Sequence, residues 1–345
     1  MKRYLAPMEG ITGYVFRNVY HDCFGGMDKY FTPFLSPNQT GRLGPRESRD
    51  VDPKNNQGMH VVPQILTNCA ADFIRTAKTL KSMGYQEVNL NLGCPSQTVF
   101  SKKRGAGFLA YPDEVNKCLY EIFAELDMKI SVKTRLGVKD PEEFGRLLDV
   151  YNSYKMEELI IHPRVREDYY KNTPHMDAFE KAFADSKNPV CYNGDMFRME
   201  DINRLGQKFP QLPAVMLGRG ILAYPGLLSA DAGNGCPEAG TSGELDSLEP
   251  GGREKENLVQ KERLQAFHDC LYQANCRLYL KEAGPKVVLY KMKEVWCYMV
   301  YAFKDSKKQG KKIKKAQGLE DYEAAVAAMF SQCEVIPGGG YWGTP

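Results

Sequence analysis

The sequence predicts an α/β protein, a (β/α)8 TIM barrel followed by a small C-terminal all-helical domain. β-rich runs alternate with helix-like segments along the first two thirds of the chain, and most of these runs are apolar. Apolar strands separated by helices are typical of a parallel sheet that is covered on both faces. Eight such units favour a closed barrel. The competing architecture is a doubly wound open sheet, which usually has fewer strands, and no GxGxxG follows the first strand.

The predicted strands and helices alternate between residues 3 and 220. Residues 70–84 have apolar positions three or four apart and end in glycine, which predicts a helix and its C-terminus. Residues 112–126 begin with proline and acidic residues, as helices commonly do. The eight predicted strands span residues 3–8, 29–36, 60–66, 86–93, 129–137, 158–164, 189–195 and 213–220.

A change in composition after residue 230 predicts three regions. Residues 1–230 form the barrel, residues 231–257 form a linker rich in glycine and acidic residues, and residues 258–345 form the helical domain. Within the helical domain, residues 281–315 contain eleven lysines against three acidic residues, a charge of +8. Such a basic segment predicts binding to RNA, although a solvated surface that only keeps the protein soluble is the alternative.

The overall composition excludes several classes of protein. The 345 residues carry a net charge of only +3, and the ten cysteines include no CxxC pair. This usage predicts reduced thiols in the cytoplasm, without disulfides or a metal site. There is no stretch long enough to span a membrane and no signal peptide, so we expect no membrane partner. We expect the protein to be a monomer.

Polar residues end six successive predicted strands. Because active sites of parallel barrels lie at the carboxyl ends of the strands, these residues predict a polar mouth over an apolar barrel. In chain order, they are Gln64, then Asn89, Asn91 and Cys94, then Lys133 and Arg135, then His162 and Arg164, then Asn193, Gly194 and Asp195, and finally Gly218, Arg219 and Gly220.

The last two strand ends predict a phosphate site. Phosphate sites in such barrels often use the loops after strands 7 and 8, and "NGD" and "GRG" supply glycines and an arginine there. Each tripeptide alone would be an ordinary turn. Lys133 lies in an apolar strand and needs an anionic partner, either a neighbouring acid or a ligand with an anionic ring. A phosphate site near Lys133, His162 and Gln64 suits flavin mononucleotide (FMN), although His162 alone would more often be a satisfied core residue.

Five motifs occur in an order that resembles the tRNA-dihydrouridine synthases. They are "APMEGIT", "NLNLGCPSQTV", "KTRLG", "NGD" and "GRG", and the resemblance covers roughly residues 4–228. It implies an FMN-binding barrel, a helical tRNA-binding domain and reduction of the C5–C6 double bond of particular uridines in tRNA, with NADPH as reductant. The chain departs from the family pattern at Pro163, where glycine is usual.

The resemblance also implies roles for single residues. Cys94 would be the proton donor, Asn91 would recognise the uracil edge and Gln64 would meet the flavin ring edge. Lys133 and His162 would contact the N1/O2 side of the flavin. Pro7, Met8 and Glu9 would line the flavin through their backbone, and the phosphate would be held by Asn193, Gly194, Asp195, Gly218 and Arg219. We expect the substrate tRNA to be contacted by Arg135, by Lys102, Lys103 and Arg104 on the loop after Cys94, and by Lys307, Lys308, Lys311 and Lys312.

Cys94 has the chemistry that such a reduction requires. Adding hydrogen to one carbon of the uracil double bond leaves the neighbouring carbon in need of a proton. A thiol with a pKa of about 8.5 remains mostly protonated at neutral pH and can supply it. Two other functions remain open, namely a flavin reductase of a free pyrimidine or enone and a non-catalytic RNA-binding barrel. The basic segment argues against the first, and Cys94 with Lys133 argues against the second.

Overall fold

The computed structural model describes residues 1–37, 43–229, 250–336 and 338–341. In these ranges nine strands, all parallel, form one sheet in the order β3-β2-β1-β9-β8-β7-β6-β5-β4. The strands are β1 (Lys2–Leu5), β2 (Lys29–Phe31), β3 (Val61–Val62), β4 (Gln64–Ile65), β5 (Glu87–Leu92), β6 (Lys129–Gly137), β7 (Leu159–Val165), β8 (Val190–Tyr192) and β9 (Ala214–Leu217).

The sheet closes into a barrel through β3 and β4. These two strands are one extended segment that is interrupted at Pro63, which has no N–H to donate. β3 pairs with β2 on one side and β4 pairs with β5 on the other, so the segment joins the two ends of the sheet. The predicted barrel is therefore confirmed, with the third predicted strand divided in two.

Helices cover the outside of the barrel. The predicted helices at 70–84 and 112–126 are confirmed as α3 and α5. The helices of the described residues are α1 (Tyr14–Cys23), α2 (Pro45–Asp50), α3 (Ala70–Ser82), α4 (Gln97–Phe100), α5 (Pro112–Glu125), α6 (Phe144–Tyr151), α7 (Met176–Asp185), α8 (Met199–Lys208), α9 (Arg219–Ala223), α10 (Pro250–Tyr279), α11 (Pro285–Met299), α12 (Lys307–Lys315) and α13 (Leu319–Gln332).

Strand β5, which bears part of the predicted site, alternates between an apolar outer face and a polar inner face. On β5, Val88, Leu90 and Leu92 belong to the core beneath the helices. Because side chains alternate along a strand, Glu87, Asn89 and Asn91 face the barrel interior. The sequence predicted mostly apolar strands without strict alternation, whereas β5 alternates and part of the barrel interior is polar.

The pairing of β6 with β7 shifts register at the barrel mouth. Arg135 lies opposite His162, whereas Gly137 lies opposite Val165, so β7 has one extra residue at this point. Pro163 lies within this stretch and cannot donate a ladder hydrogen bond, which explains the irregularity.

The C-terminal helices pack directly against the barrel. α10 begins at Pro250, inside the predicted linker 231–257, and residues 231–249 lie outside the described residues. Phe267 of α10 packs edge-on against Phe16 of α1, with their ring centroids 5.7 Å apart. Trp296 is buried and donates its indole N–H to the Tyr322 hydroxyl at 2.9 Å. No helix within the described ranges is both long enough and apolar enough to cross a membrane.

Candidate active site

One pocket at the carboxyl ends of the strands gathers nine of the residues that the sequence predicted for the cofactor. The pocket is also lined by Tyr170 and Phe197, which the sequence did not predict. The nine predicted residues are Pro7, Met8, Lys133, His162, Asn193, Gly194, Asp195, Gly218 and Arg219. Glu9 is not among the lining residues, and its carboxylate pairs with Arg46 at 2.6 Å.

Two glycines at this pocket are required by close packing. A Cβ atom on Gly194 would lie 2.0 Å from the Tyr192 hydroxyl oxygen, and one on Gly220 would lie 2.2 Å from the Met196 carbonyl oxygen. Because real Cβ atoms do not approach other atoms so closely, a larger residue at either position would displace the loop. The loops after β8 and β9 therefore keep their shape only with glycine at these positions.

Asp195 holds two arginines at the predicted phosphate end of the pocket. Arg164 donates two hydrogen bonds to the Asp195 carboxylate, at 2.9 and 2.6 Å, and Arg219 donates a third at 2.5 Å. The Arg219 guanidinium lies 4.8 Å from the Tyr170 ring and 5.4 Å from the Phe197 ring. A carboxylate repels a phosphate, so Asp195 would support phosphate binding by orienting these arginines.

His162 is a neutral imidazole with a defined tautomer. Its Nε2 lies 3.1 Å from Arg164 Nη1, and because an arginine can only donate, Nε2 must accept this hydrogen bond. The ring proton is therefore on Nδ1. Burial, followed by the nearby cations Arg135 and Lys133, holds the His162 pKa well below its ordinary value.

Lys133 has no acidic partner among the described residues. Its side chain lines the pocket, and the groups that act on its ammonium are Arg135 and two cysteines, not a carboxylate. Burial, followed by the charge of Arg135, lowers the Lys133 pKa to about 8. Of the two alternatives left open by the sequence, a salt bridge to a neighbouring acid is thus not observed in the described part of the chain. An anionic ligand fits this pocket, because it would supply the missing counter-charge.

Asn91 holds the turn that bears Cys94. Its side-chain oxygen accepts hydrogen bonds from the backbone N–H groups of Gly93 and Cys94, each at 3.0 Å, and its amide nitrogen donates to Gln64 at 2.7 Å. Gly105 adopts a positive φ of 54° and packs against the Cys94 carbonyl, where a Cβ atom would approach to 2.9 Å. Burial raises the pKa of the Cys94 thiol above its ordinary value.

Arg135 ties together two loops of the barrel mouth. Its guanidinium donates to the carbonyl oxygens of Gly93, Val165 and Tyr169 at 3.0, 2.9 and 2.8 Å, and the residue is 1% exposed. The sequence suggested a contact with the substrate at this position. The structure instead places Arg135 beneath the loops, where it orients the Cys94 turn.

The predicted RNA-binding residues lie on two exposed segments. Lys102 and Lys103 are exposed on the loop after α4, which follows the Cys94 turn, while Arg104 is half-buried. α12 is exposed along its lysine face, and its opposite face buries Gln309 and Ile313. The four exposed lysines predicted on this helix are Lys307, Lys308, Lys311 and Lys312.

Two aromatic residues at the pocket were missed from the sequence. The Tyr170 ring lies near the guanidinium groups of Arg219 and Arg135, at 4.8 and 5.2 Å. In the sequence, Tyr170 was marked only by its place in a pair of tyrosines that follows Pro163, the residue that departs from the family pattern. The second missed residue is Phe197, which packs against Tyr341 with ring centroids 4.8 Å apart. No local pattern could reveal a contact between residues so distant in the sequence.

Comparisons with known proteins relate this chain to a family and to a fold. The family model described as "Dihydrouridine synthase (Dus)" matches residues 4–249. The chain is 30% identical over 231 residues to the tRNA-dihydrouridine(16) synthase of Cupriavidus necator, covering 64% of this chain and 70% of that protein. A probable tRNA-dihydrouridine synthase of Staphylococcus aureus is 30% identical over 236 residues, with 64% and 68% covered. A histamine dehydrogenase structure from Rhizobium sp. 4-9 shares the barrel fold, with a TM-score of 0.50, 11% identity and coverage of 67% of this chain and 45% of that chain.

Proposed function

The chain belongs to the dihydrouridine synthase family of flavin-dependent oxidoreductases, and we propose that it is a tRNA-dihydrouridine synthase. In this proposal it reduces the C5–C6 double bond of specific uridines in tRNA, with FMN as its cofactor and NADPH as its reductant. Two relatives of about 30% identity with tRNA-dihydrouridine synthase names support the substrate. As the described cysteines are free thiols, we expect the enzyme to act in the cytoplasm. We also propose that it is a monomer.

The observation that best supports a bound FMN is that the ammonium of Lys133 has no carboxylate partner among the described residues. Lys133 and the Nδ1–H of His162 would hold the polar side of the flavin ring. Arg219, with the loops that contain Gly194 and Gly218, would hold the phosphate. When bound, FMN supplies the reducing equivalents for the double bond.

Cys94 would supply the proton. The raised pKa keeps its sulfur protonated at neutral pH, which is the state that a general acid requires. Asn91 and Arg135 hold the turn in place, so the thiol is fixed before the substrate arrives. A uridine must leave its stack to reach the barrel mouth, and exposed lysines would bind the neighbouring phosphates.

The proposal is tested with purified protein and tRNA from cells that lack dihydrouridine. We expect the purified protein to show flavin absorbance and to release FMN when it is denatured. We also expect NADPH-dependent formation of dihydrouridine, detected by mass spectrometry of the tRNA. Free uridine and an enone serve as comparison substrates. A colourless protein that binds tRNA would contradict the enzymatic function, and reduction of the free substrates without any reduction of tRNA would support a small-molecule reductase instead.

A further inference from the structure

A continuous chain of hydrogen bonds runs along the barrel interior from Asn91 to Glu87. Asn91 donates to Gln64 at 2.7 Å, and Gln64 donates to Asn89 at 2.8 Å. Asn89 then donates to the Ser131 hydroxyl at 3.0 Å, and that hydroxyl donates to Glu87 at 3.0 Å. All five residues are at most 7% exposed, so water does not compete for these bonds.

The direction of this chain is fixed at both ends by groups whose roles cannot reverse. At the top, the side-chain oxygen of Asn91 accepts from two backbone N–H groups, which can only donate. At the bottom, the carboxylate of Glu87 can only accept, and its other oxygen is held by Lys29 at 2.8 Å. Every intermediate amide must therefore point the same way along the chain.

We propose that Asn89, Ser131 and Glu87 are positioning residues that fix the amide orientations of Gln64 and Asn91. Both acceptor positions of the Asn91 oxygen are filled, and one of its two amide hydrogens is used by Gln64. Within the described part of the chain, Asn91 therefore keeps one hydrogen to offer to a ligand and has no acceptor left to offer.

This orientation determines which base edge Asn91 can bind, an inference that rests on the proposed function. A donor matches a carbonyl oxygen of uracil and opposes the exocyclic amino group of cytosine, because two donors cannot pair. The hydrogen-bond chain would thus contribute to the choice of uridine over cytidine, from residues that never touch the base.

The test is a double-mutant cycle between the two ends of the chain. Asn91→Asp provides acceptors only, so Gln64 and Asn89 must rotate to donate toward position 91. The Ser131 hydroxyl then donates to Asn89, and its oxygen faces the Glu87 carboxylate without a hydrogen between them. Adding Glu87→Gln removes this conflict, because the new amide can donate to Ser131 and still accept from Lys29.

We expect Glu87→Gln to lower the Tm of the wild-type protein but to raise that of the Asn91→Asp variant. Any pairing of the new carboxylate with Lys133, which lies opposite Asn91, is present in both proteins that carry Asn91→Asp and cancels in the cycle. Residues four positions apart on one strand are separated by about 13 Å, so they should otherwise act independently. The double variant should have a KM for tRNA raised about tenfold or more, since the residue at position 91 has no hydrogen to donate.

The same cycle in three further backgrounds distinguishes coupling through the hydrogen-bond chain from simple charge compensation. Ser131→Ala removes a link, so Glu87→Gln should no longer rescue Asn91→Asp, whereas Ser131→Thr keeps the hydroxyl and should preserve the rescue. Thr134→Val is the matched control, because it removes a buried hydroxyl from the outer face of the same strand. The rescue should persist in this background.

The proposal is overturned if the two changes are additive, or if the rescue survives Ser131→Ala. If Asn91→Asp fails to fold and the double variant folds, this also counts as rescue. If neither folds, Asn89→Asp replaces Asn91→Asp in the cycle, because it places an acceptor directly against Ser131. A rescue in a protein that reduces no tRNA would support the hydrogen-bond chain and refute the proposed function. Additive changes in an active tRNA reductase would refute the hydrogen-bond chain and support the proposed function.

Discussion

Replacing Lys133 with methionine should stabilise the protein without FMN and weaken its binding of FMN. The lysine places a positive charge in the pocket with no carboxylate partner among the described residues, and this charge favours unfolding. Methionine has a similar length and no charge, so Lys133→Met removes the cost of burying the ammonium. The same change removes the group that would compensate an anionic ligand.

The pKa of Lys133 gives the size of its effect on folding stability and the pH dependence of that effect. The value falls from 10.5 to about 8 on folding, which corresponds to about 3 kcal/mol of lost stability at neutral pH. This is an upper limit, because the side chain borders the pocket and is only half-buried. Between pH 8 and pH 10.5 the unfolded chain binds the extra proton, so the wild-type protein without FMN should gain stability as the pH rises through this window.

The assay is chemical denaturation of the FMN-free proteins at pH 7 and pH 10, with FMN affinity measured by fluorescence quenching. At pH 7, Lys133→Met should unfold at a higher denaturant concentration than wild type, and the difference should shrink at pH 10. Its FMN affinity should fall about 10- to 100-fold. Lys129→Met is the matched control, because Lys129 begins the same strand, is exposed and pairs with Glu157.

Two results would refute this reasoning. If the FMN-free Lys133→Met protein is less stable than wild type at pH 7, the lysine has a stabilising partner. If its FMN affinity is unchanged, the ammonium does not face the ligand.

Three further changes test the remaining parts of the site. Cys94→Ala should keep FMN and its reduction by NADPH but lose about 10²–10⁴-fold in the rate of tRNA reduction. The wild-type rate should fall only as the pH rises through the raised pKa of the thiol. A near-native rate of the variant would contradict the role of Cys94. Arg219→Ala removes a charge-assisted contact of about 1.5–3 kcal/mol and should yield protein that loses FMN on purification; full flavin occupancy would exclude Arg219 from the phosphate site. A quadruple alanine variant on α12 should weaken tRNA binding and reduce its salt dependence by up to about 0.9 log units per lost phosphate contact, with unchanged FMN content. If both affinity and salt slope stay at wild-type values, RNA binds elsewhere. The four positions are Lys307, Lys308, Lys311 and Lys312.

The barrel could be predicted because its determinants are local. Each strand and helix has its own apolar spacing and end residues, and eight repeats of the pattern leave few architectures that can bury the strands. The strand ends also follow from topology, since all parallel strands finish at the same rim. That is why Lys133, His162, Asn193 and Arg219, which lie on or just after four different strands, were predicted together and line one pocket.

The roles of single side chains within that pocket depended on contacts between distant segments. The sequence placed Asp195 and Arg135 at the rim, but only the structure showed that Asp195 holds two arginines and that Arg135 binds three backbone carbonyls. A hydrogen bond depends on distances of a few tenths of an ångström between strands, and no spacing along one strand encodes them.

The sequence alone therefore determined the architecture, the polar mouth of the barrel and the position of Cys94, because periodicity and turn chemistry act over a few residues. Tertiary structure decided the rest. It left Lys133 without a carboxylate among the described residues, fixed the tautomer of His162 and aligned the amides between Asn91 and Glu87. These properties depend on which donors, acceptors and charges meet in the closed barrel, where water cannot replace a missing partner.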